Sequence, residues 1–405
     1  MKKKNILLTI LLFSLCVLIG LHLTVLYNKH PVSAATDSTD DSTGNNIPKK
    51  PSAVTRKDSV RKSYTGLKKV HGKLYYYING KPYCNGLKTI KAKDKRYYYF
   101  FQKNGEAYTK GFKTVQIDGN KYYFYFQKNG KALTETLKAV SLNKKKYYFY
   151  FQKNGKALTD NWKKINDNKY YFEANGKAST GTKVVSHYLC HFDDKGVLYR
   201  QIDIDKKMVA LTYDDGPSIY TPRILKTLKE NDSVATFFVV GSRVKTYADA
   251  LKSEYKMHCQ IGNHSYNHTI LTKVDADTIK KEIKSTNDAV KKIIKTSPIV
   301  MRPPGGAVDN EVKENVKMPM IIWSLDTLDW KTRNADSTKK AVLDNIKDGD
   351  IVLMHDLYDA TATASETIIP ELVERGYQLV TISELAQCRD VKLKNGKSYF
   401  SFKKK

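Results

Sequence analysis

Cysteine is scarce in this chain: five in 405 residues, none in a C-x-x-C spacing. A dense disulfide framework of the kind that staples small secreted folds is thereby excluded. Cys84, Cys190, Cys259 and Cys388 read as buried or incidental thiols, and nothing in the sequence supports a Cys259–Cys388 bridge. Tryptophan is almost missing, with three residues against 28 tyrosines. Acidic residues are thin in the first half: residues 1–200 hold 13 Asp and Glu against 38 Lys and Arg, a net of +25. Residues 201–405 hold 28 against 32, a net of +4. The first half is therefore a basic device joined to a nearly neutral globular half, and its charge calls for an anionic partner or for solvent. Residues 36–64 hold little apolar content, too little to bury a core, and read as a flexible linker.

Three lysines at Lys2–Lys4 precede an apolar run from Ile6 to Tyr27. A basic start followed by an apolar stretch is a secretory pattern, and Val32-Ser33-Ala34 ahead of Ala35 suits a signal peptidase. The run is also long enough to span a bilayer. Residues 1–35 are thus a signal peptide or a membrane anchor, with Lys2–Lys4 on the inner side. Either way the bulk of the chain lies outside the membrane, and membrane contact is expected through this segment alone. Cys16 falls inside the run without the small residue before it that a lipoprotein signal needs.

From residue 65 to 200 the chain repeats. Tyr97–Phe101, Tyr122–Phe126 and Tyr147–Phe151 each precede an Asn-Gly pair, and the glycines at 80, 105, 130, 155, 176 and 196 keep a period of 25, 25, 25, 21 and 20. Asn-Gly between aromatic-rich runs signals hairpins, and a short period signals stacked units, so this part reads as an all-β hairpin solenoid. The units resemble the cell-wall-binding repeats of Gram-positive surface proteins, relatives of choline-binding modules. Their Gly-Trp slot here reads Gly86-Leu87, Gly111-Phe112, Thr136-Leu137 and Asn161-Trp162. A cage for a quaternary ammonium favours Trp, so a basic, tyrosine-rich face suits anionic wall polymers and sugar rings better. The aromatics also serve as the core of the solenoid, since alternate strand positions face inward. The net charge alone would admit a nucleic-acid binder, but secretion and hairpin repeats argue for no nucleic-acid partner.

The pattern changes at residue 201. Met208–Tyr213, Ala235–Val240, Pro298–Met301, Met320–Leu325, Asp350–Met354 and Tyr377–Thr381 read as strands, and Pro222–Glu230 and Asp275–Lys295 as helices. Strands alternating with helices predict an α/β fold with a parallel sheet or barrel over residues 201–390. Residues 391–405 read as a basic tail.

Polar motifs fall mostly at the ends of these strands, where such barrels place their active sites. Asp214-Asp215 closes the first one; neighbouring side chains on an extended chain point in different directions, so one carboxylate can bind a metal while the other faces a substrate. Asp-Gly-Pro is also an ordinary turn cap. His264 and His268 lie four apart, one face of a helical turn, and can chelate; two histidines on a solvated helix are also a common accident. Arg302-Pro-Pro-Gly-Gly306 joins a stiff turn to an arginine able to orient a carboxylate. Asp329-Trp330 follows another strand, and Leu353-Met-His355 ends a third.

Taken together and in this order, these segments resemble the NodB-type polysaccharide deacetylases, carbohydrate esterase family 4, from Lys206 to about Leu385. The resemblance implies a distorted (β/α) barrel of the NodB type. It implies that Asp215, His264 and His268 hold a divalent metal, usually Zn2+, with Co2+ or a similar ion as alternatives. It makes Asp214 the general base with Arg302 set against it, and His355 the general acid tuned by Asp329. Gly305 would offer a backbone N–H to the oxyanion, and Trp330 and Leu353 would line the acetyl pocket. Family members often carry Tyr where Gly305 stands, so an aromatic wall is lost at that edge. The implied reaction hydrolyses N-acetyl groups of peptidoglycan N-acetylglucosamine, with the cell wall or surface as location. Chitin oligomers, exopolysaccharide and acetyl-xylan are alternative substrates, and a non-catalytic wall-binding protein is the alternative role.

Overall fold

The computed structural model describes residues 63–404. The expected signal or anchor at 1–35, and the linker as far as residue 62, lie outside the described residues. Among those described, no helix is long and apolar enough to cross a membrane, and all four cysteines are free, only Cys84 being exposed.

Two-residue periodicity builds the first part. Gly86–Ala92 pairs antiparallel with Lys95–Phe101, Gly111–Ile117 with Asn120–Phe126, Thr136–Leu142 with Lys145–Phe151, and Asn161–Ile165 with Asn168–Phe172. On the second strand of each hairpin every other aromatic points inward, so Phe101, Phe126, Phe151 and Phe172 are fully buried. Each hairpin also hands a hydrogen bond back to an earlier one: the amides of Ala107, Ala132, Ala157 and Ala178 donate to the carbonyls of Leu74, Tyr98, Tyr123 and Tyr148 at 2.8 Å.

The Asn-Gly pairs sit elsewhere than the expected hairpin tips. The tips are Lys93-Asp94, Asp118-Gly119, Asn143-Lys144 and Asn166-Asp167, two-residue turns opening on a left-handed residue. Asn104-Gly105, Asn129-Gly130 and Asn154-Gly155 instead turn the chain at the far end, leading to the alanine that bridges back. Each Asn side chain accepts the amide two residues on at 3.0 Å, and each Gly takes a φ near +78 that other residues resist. Sequence order alone does not say which of two turns joins paired strands.

In the second half, strands are numbered here in chain order: β1 Met208–Gly216, β2 Thr236–Val239, β3 Gln260–Asn263, β4 Met320–Ile321, β5 Leu325–Asp326, β6 Ile351–His355, β7 Gln378–Leu379 and β8 Ser398–Tyr399. They are parallel, in the order β3-β2-β1-β6-β5, with β7 also on β1. The expected strand at Pro298–Met301 is reduced to Met301, which bridges Asn263 on one side and Met320 on the other. Pro298, Pro303 and Pro304 flank it, and residues without an N–H cannot extend a ladder. Ile322–Ser324 then carries the chain from β4 at one end of this arrangement to β5 at the other. The long helix Ala276–Ile294 begins where Asp275 caps it, accepting the Thr278 amide at 2.7 Å.

Residues 391–404 are no tail. β8 pairs with β4, the Phe402 amide donates to Gly349 at 2.8 Å, and Phe402 is buried. Two apolar side chains, Tyr399 and Phe402, outweigh the surrounding lysines because each finds an open slot against the core.

The last hairpin, Gly181–Val185 with Tyr188–Phe192, continues into a third strand, Leu198–Asp203. Leu189 and Ile202 belong to the core that holds Met208, Ala210 and Leu385. Arg200 Nε donates to Glu384 at 2.8 Å, and the Gln378 side chain bonds both the amide and the carbonyl of Asp203.

Candidate active site

A bulge ends β1. The register shifts between Asp214 and Gly216, and Asp215 sits at φ 68, a left-handed conformation that costs a non-glycine residue roughly 1–3 kcal/mol. Neighbouring carboxylates on a regular strand diverge; here both converge on one imidazole. His264 Nε2 lies 3.6 Å from Asp214 Oδ2 and 3.3 Å from Asp215 Oδ1. His268 Nε2 lies 3.1 Å from the same Asp215 oxygen.

The two histidines do not share a helical turn, contrary to the spacing argument. They stand on an irregular loop after β3, with Ser265 and His268 both at φ 58. Side chains absent from the motif reading hold that loop. Glu282 accepts the amides of Tyr266 and Asn267 at 2.7 and 2.8 Å, and Asn263 accepts the Ser265 amide at 2.8 Å. Glu282 was legible in principle. It is a carboxylate on the buried face of Ala276–Ile294, between Ile279 and Ile283 and Thr286, and a charge on an apolar stripe needs a partner.

His264 Nδ1 donates to the Arg302 carbonyl at 2.7 Å, since only a protonated ring nitrogen can bond a carbonyl. Its Nε2 therefore carries a lone pair toward Asp215. Asp215 Oδ1 is buried and has no hydrogen-bond partner, although it faces two imidazoles. The ligand atoms of Asp215, His264 and His268 all lie within 4.8 Å of one another. An orphaned carboxylate oxygen ringed by imidazole lone pairs is what a divalent cation satisfies, and three protein donors leave a coordination position for water. Burial pushes the Asp215 carboxyl up, but the imidazoles of His264 and His268 beside it outweigh burial and hold it down to about 2. His268 is pressed below its ordinary value by burial and by His264.

Arg302 is fully buried. Nη1 donates to Asp214 Oδ1 at 2.7 Å and to Thr212 Oγ1 at 2.8 Å; Nε and Nη2 donate to the carbonyls of Ile321 and Ile322 at 2.9 Å. Asp214 is thus fixed with one oxygen on Arg302 and the other turned toward His264.

Asp329 gathers a second cluster. Its Oδ1 accepts His355 Nδ1 at 2.8 Å and the Trp330 amide at 2.9 Å; its Oδ2 accepts the His355 amide at 2.8 Å and Thr361 Oγ1 at 2.6 Å. Nδ1 therefore carries a proton in either charge state of His355, and in the charged form Nε2 carries the second one. Burial lowers the His355 pKa, but the hydrogen bond and charge of Asp329, then Asp214 and Asp215, raise it above the ordinary histidine value.

Of the remaining candidates, Leu353 is buried two residues before His355 on β6, on the same face. Trp330 opens the Asp329–Thr332 helix and is 46% exposed. Gly305 takes φ 64 in the Pro304–Gly306 turn, and no hydrogen bond ties it to either cluster among the described residues.

Residues 201–319 match the family described as Polysaccharide deacetylase. A peptidoglycan-N-acetylglucosamine deacetylase of Bacillus cereus is 34% identical over 199 residues, 47% of this chain and 93% of that protein. The chain belongs to the polysaccharide deacetylase family. Other relatives are much longer than the stretch they share with this chain. The peptidoglycan-N-acetylglucosamine deacetylase PgdA of Listeria monocytogenes is 45% identical over 195 residues, 48% of this chain and 41% of the relative. The peptidoglycan-N-acetylmuramic acid deacetylase PdaC of Bacillus subtilis is 39% identical over 189 residues, 46% and 40% respectively. The chain therefore spans less than half the length of these two relatives. Deacetylases of this family depend on a divalent metal, and Asp215, His264 and His268 form the set that fits one.

Proposed function

We propose that this deacetylase hydrolyses the N-acetyl group of peptidoglycan N-acetylglucosamine, leaving a free amino sugar and acetate. The observation that carries the reading is the meeting of three arrangements in one place: the Asp215-His264-His268 triad, the Asp214–Arg302 pair and the His355–Asp329 pair. The relatives' names supply the glycan.

Asp215, His264 and His268 would hold a divalent ion, Zn2+ in this reading, which would supply Lewis acidity to a carbonyl and to water. The chain's own groups supply the rest. Asp214, oriented by Arg302, takes a proton from the attacking water as general base. The Gly305 N–H donates to the oxygen that gains negative charge. His355 then gives the Nε2 proton to the departing amine as the C–N bond breaks, so water is consumed and acetate and amine are formed. Asp329 keeps the ring aimed and its charged form stable. Trp330 and Leu353 flank the methyl group, with the exposed indole also suited to a sugar face.

The hairpins of residues 65–200 act in this reading as a wall-binding solenoid, set before a deacetylase domain built as a distorted barrel. Residues 1–35 deliver the chain to the cell wall or surface, cleaved or as an anchor. A non-catalytic role is disfavoured because both the base and the acid keep their positioning partners.

Acetate release from purified peptidoglycan, with added Zn2+, against the Asp214→Asn variant tests the proposal. Release by the native chain alone, abolished by a chelator, supports it. Release from chitin oligomers or acetyl-xylan but not from peptidoglycan overturns the substrate, and no release from any of them overturns the enzymatic reading.

A further inference from the structure

The aromatic faces along the hairpins are already occupied by the protein's own cations. Lys131 Nζ sits 3.7 Å from the centre of the Tyr97 ring, Lys156 Nζ 3.3 Å from Tyr122, and Lys177 Nζ 3.8 Å from Tyr147. Each lysine follows the Gly of an Asn-Gly pair and reaches back to a ring of an earlier hairpin. A second series lies at longer range: Lys113 over Tyr108 at 4.7 Å, Lys138 over Tyr125 at 5.5 Å and Lys163 over Tyr150 at 5.0 Å. None of these lysines has a carboxylate within ion-pairing distance among the described residues. In the first hairpins, where the Lys131 position is Glu106, that acid pairs with Lys73 instead.

This arrangement decides what the face can bind. A ring face covered by an ammonium is closed to a quaternary ammonium, a sugar ring or a nucleobase. The covering ammonium keeps N–H donors directed outward, and the ring holds the long side chain in place, reducing the ordering cost of binding. Pre-ordered, unpaired cations that recur from hairpin to hairpin suit a chain of repeating anions lacking aromatic or sugar stacking groups.

We propose that the hairpins bind a linear polyol phosphate, with Lys131, Lys156 and Lys177 as the principal contacts. The inference deepens the wall-binding part of the proposed function and is independent of the hydrolysis.

Binding of labelled poly(glycerol phosphate) to the purified chain tests it. The native chain binds with an affinity that falls as salt rises, and neither choline nor chitin oligomers compete. Lys131→Met, Lys156→Met and Lys177→Met together weaken binding on the order of 100-fold at low salt. The same three positions changed to Arg retain it. A circular dichroism spectrum and urea midpoint unchanged in the Met variant show that the chain is folded.

The proposal is overturned by a Met variant that binds as the native chain does, or by equal loss when the exposed Lys93, Lys121 and Lys144 are changed instead. Competition by choline, or equally tight binding of a DNA oligonucleotide of matched phosphate number, also overturns it. Failure on poly(glycerol phosphate) with retained binding to phosphate-stripped walls removes this inference and leaves wall binding standing. Failure on both removes the two together.

Discussion

Replacing Arg302 by Met removes a guanidinium that is fully buried and donates to four acceptors. The side chain that remains fills much of the volume, so the loss is electrostatic rather than a cavity. The carboxylate of Asp214, itself buried, is left without its main cation. Removing one partner of a buried pair costs about 3–5 kcal/mol, a large part of the roughly 5–15 kcal/mol that holds a domain folded. Asp214→Asn leaves the converse, a buried guanidinium facing a neutral amide, and costs a similar amount. If the penalty of each change is mainly the stranded charge of the other, the double variant should fall short of the sum by about 2–3 kcal/mol. The assay is urea unfolding followed by circular dichroism, with a chelator present so that ligand binding to the folded state does not enter. Additivity to within about 0.5 kcal/mol would refute the coupling and with it the claim that Arg302 holds Asp214.

Three further outcomes follow from the geometry. Glu384 is buried, which alone raises its carboxyl, but His191 and Arg200 hold it down to about 2. Its folded value lies below the unfolded one, so its stabilisation is present above about pH 4.5 and is lost as pH falls toward 2. Glu384→Gln should flatten the urea midpoint between pH 5 and pH 3, and parallel profiles for the two proteins would contradict this. His355 is raised by Asp329, so kcat/KM on a soluble oligomer should fall as pH rises past the ordinary histidine range; Asp329→Asn should move that basic limb to lower pH. An unmoved limb would separate the two residues. His264→Ala should abolish binding of one equivalent of Zn2+ measured by calorimetry, while the far-ultraviolet dichroism stays native; retained stoichiometric binding would place the ion elsewhere.

The chemistry of this molecule was more readable than its shape. Asp214, Asp215, His264 and His268 stand out as residue types able to ligate, and the structure does bring them together. The means is invisible in the motif: a bulge at Asp215 and two left-handed residues in the histidine loop, where i to i+4 spacing had suggested a helix. Positive φ at a non-glycine residue leaves no mark in sequence, because long-range partners such as Glu282 enforce it. The helix at Ala276–Ile294 was legible from its apolar stripe and Asp275 cap, both local signals. Lysines dominate the composition at the end of the chain and suggest a tail, while Phe402 and Tyr399 decide its fate through β4 and Gly349, partners that no local pattern announces. The Asn-Gly turns were recognised as turns but assigned to the wrong junction, since local turn chemistry is silent about pairing.

The strand Leu198–Asp203 bears on how such proteins can be recombined. It belongs to the last hairpin by hydrogen bonding, yet Ile202 and its neighbour Leu189 are part of the core that also holds Met208 and Ala210 of β1 and Ile351 of β6. A splice at residue 201, where the sequence changes character, would expose that apolar surface and strand Glu384 without Arg200. An exchange of the hairpin array between members of this family therefore has to cut ahead of Gly181, carrying the final hairpin along with the α/β half as its permanent collar.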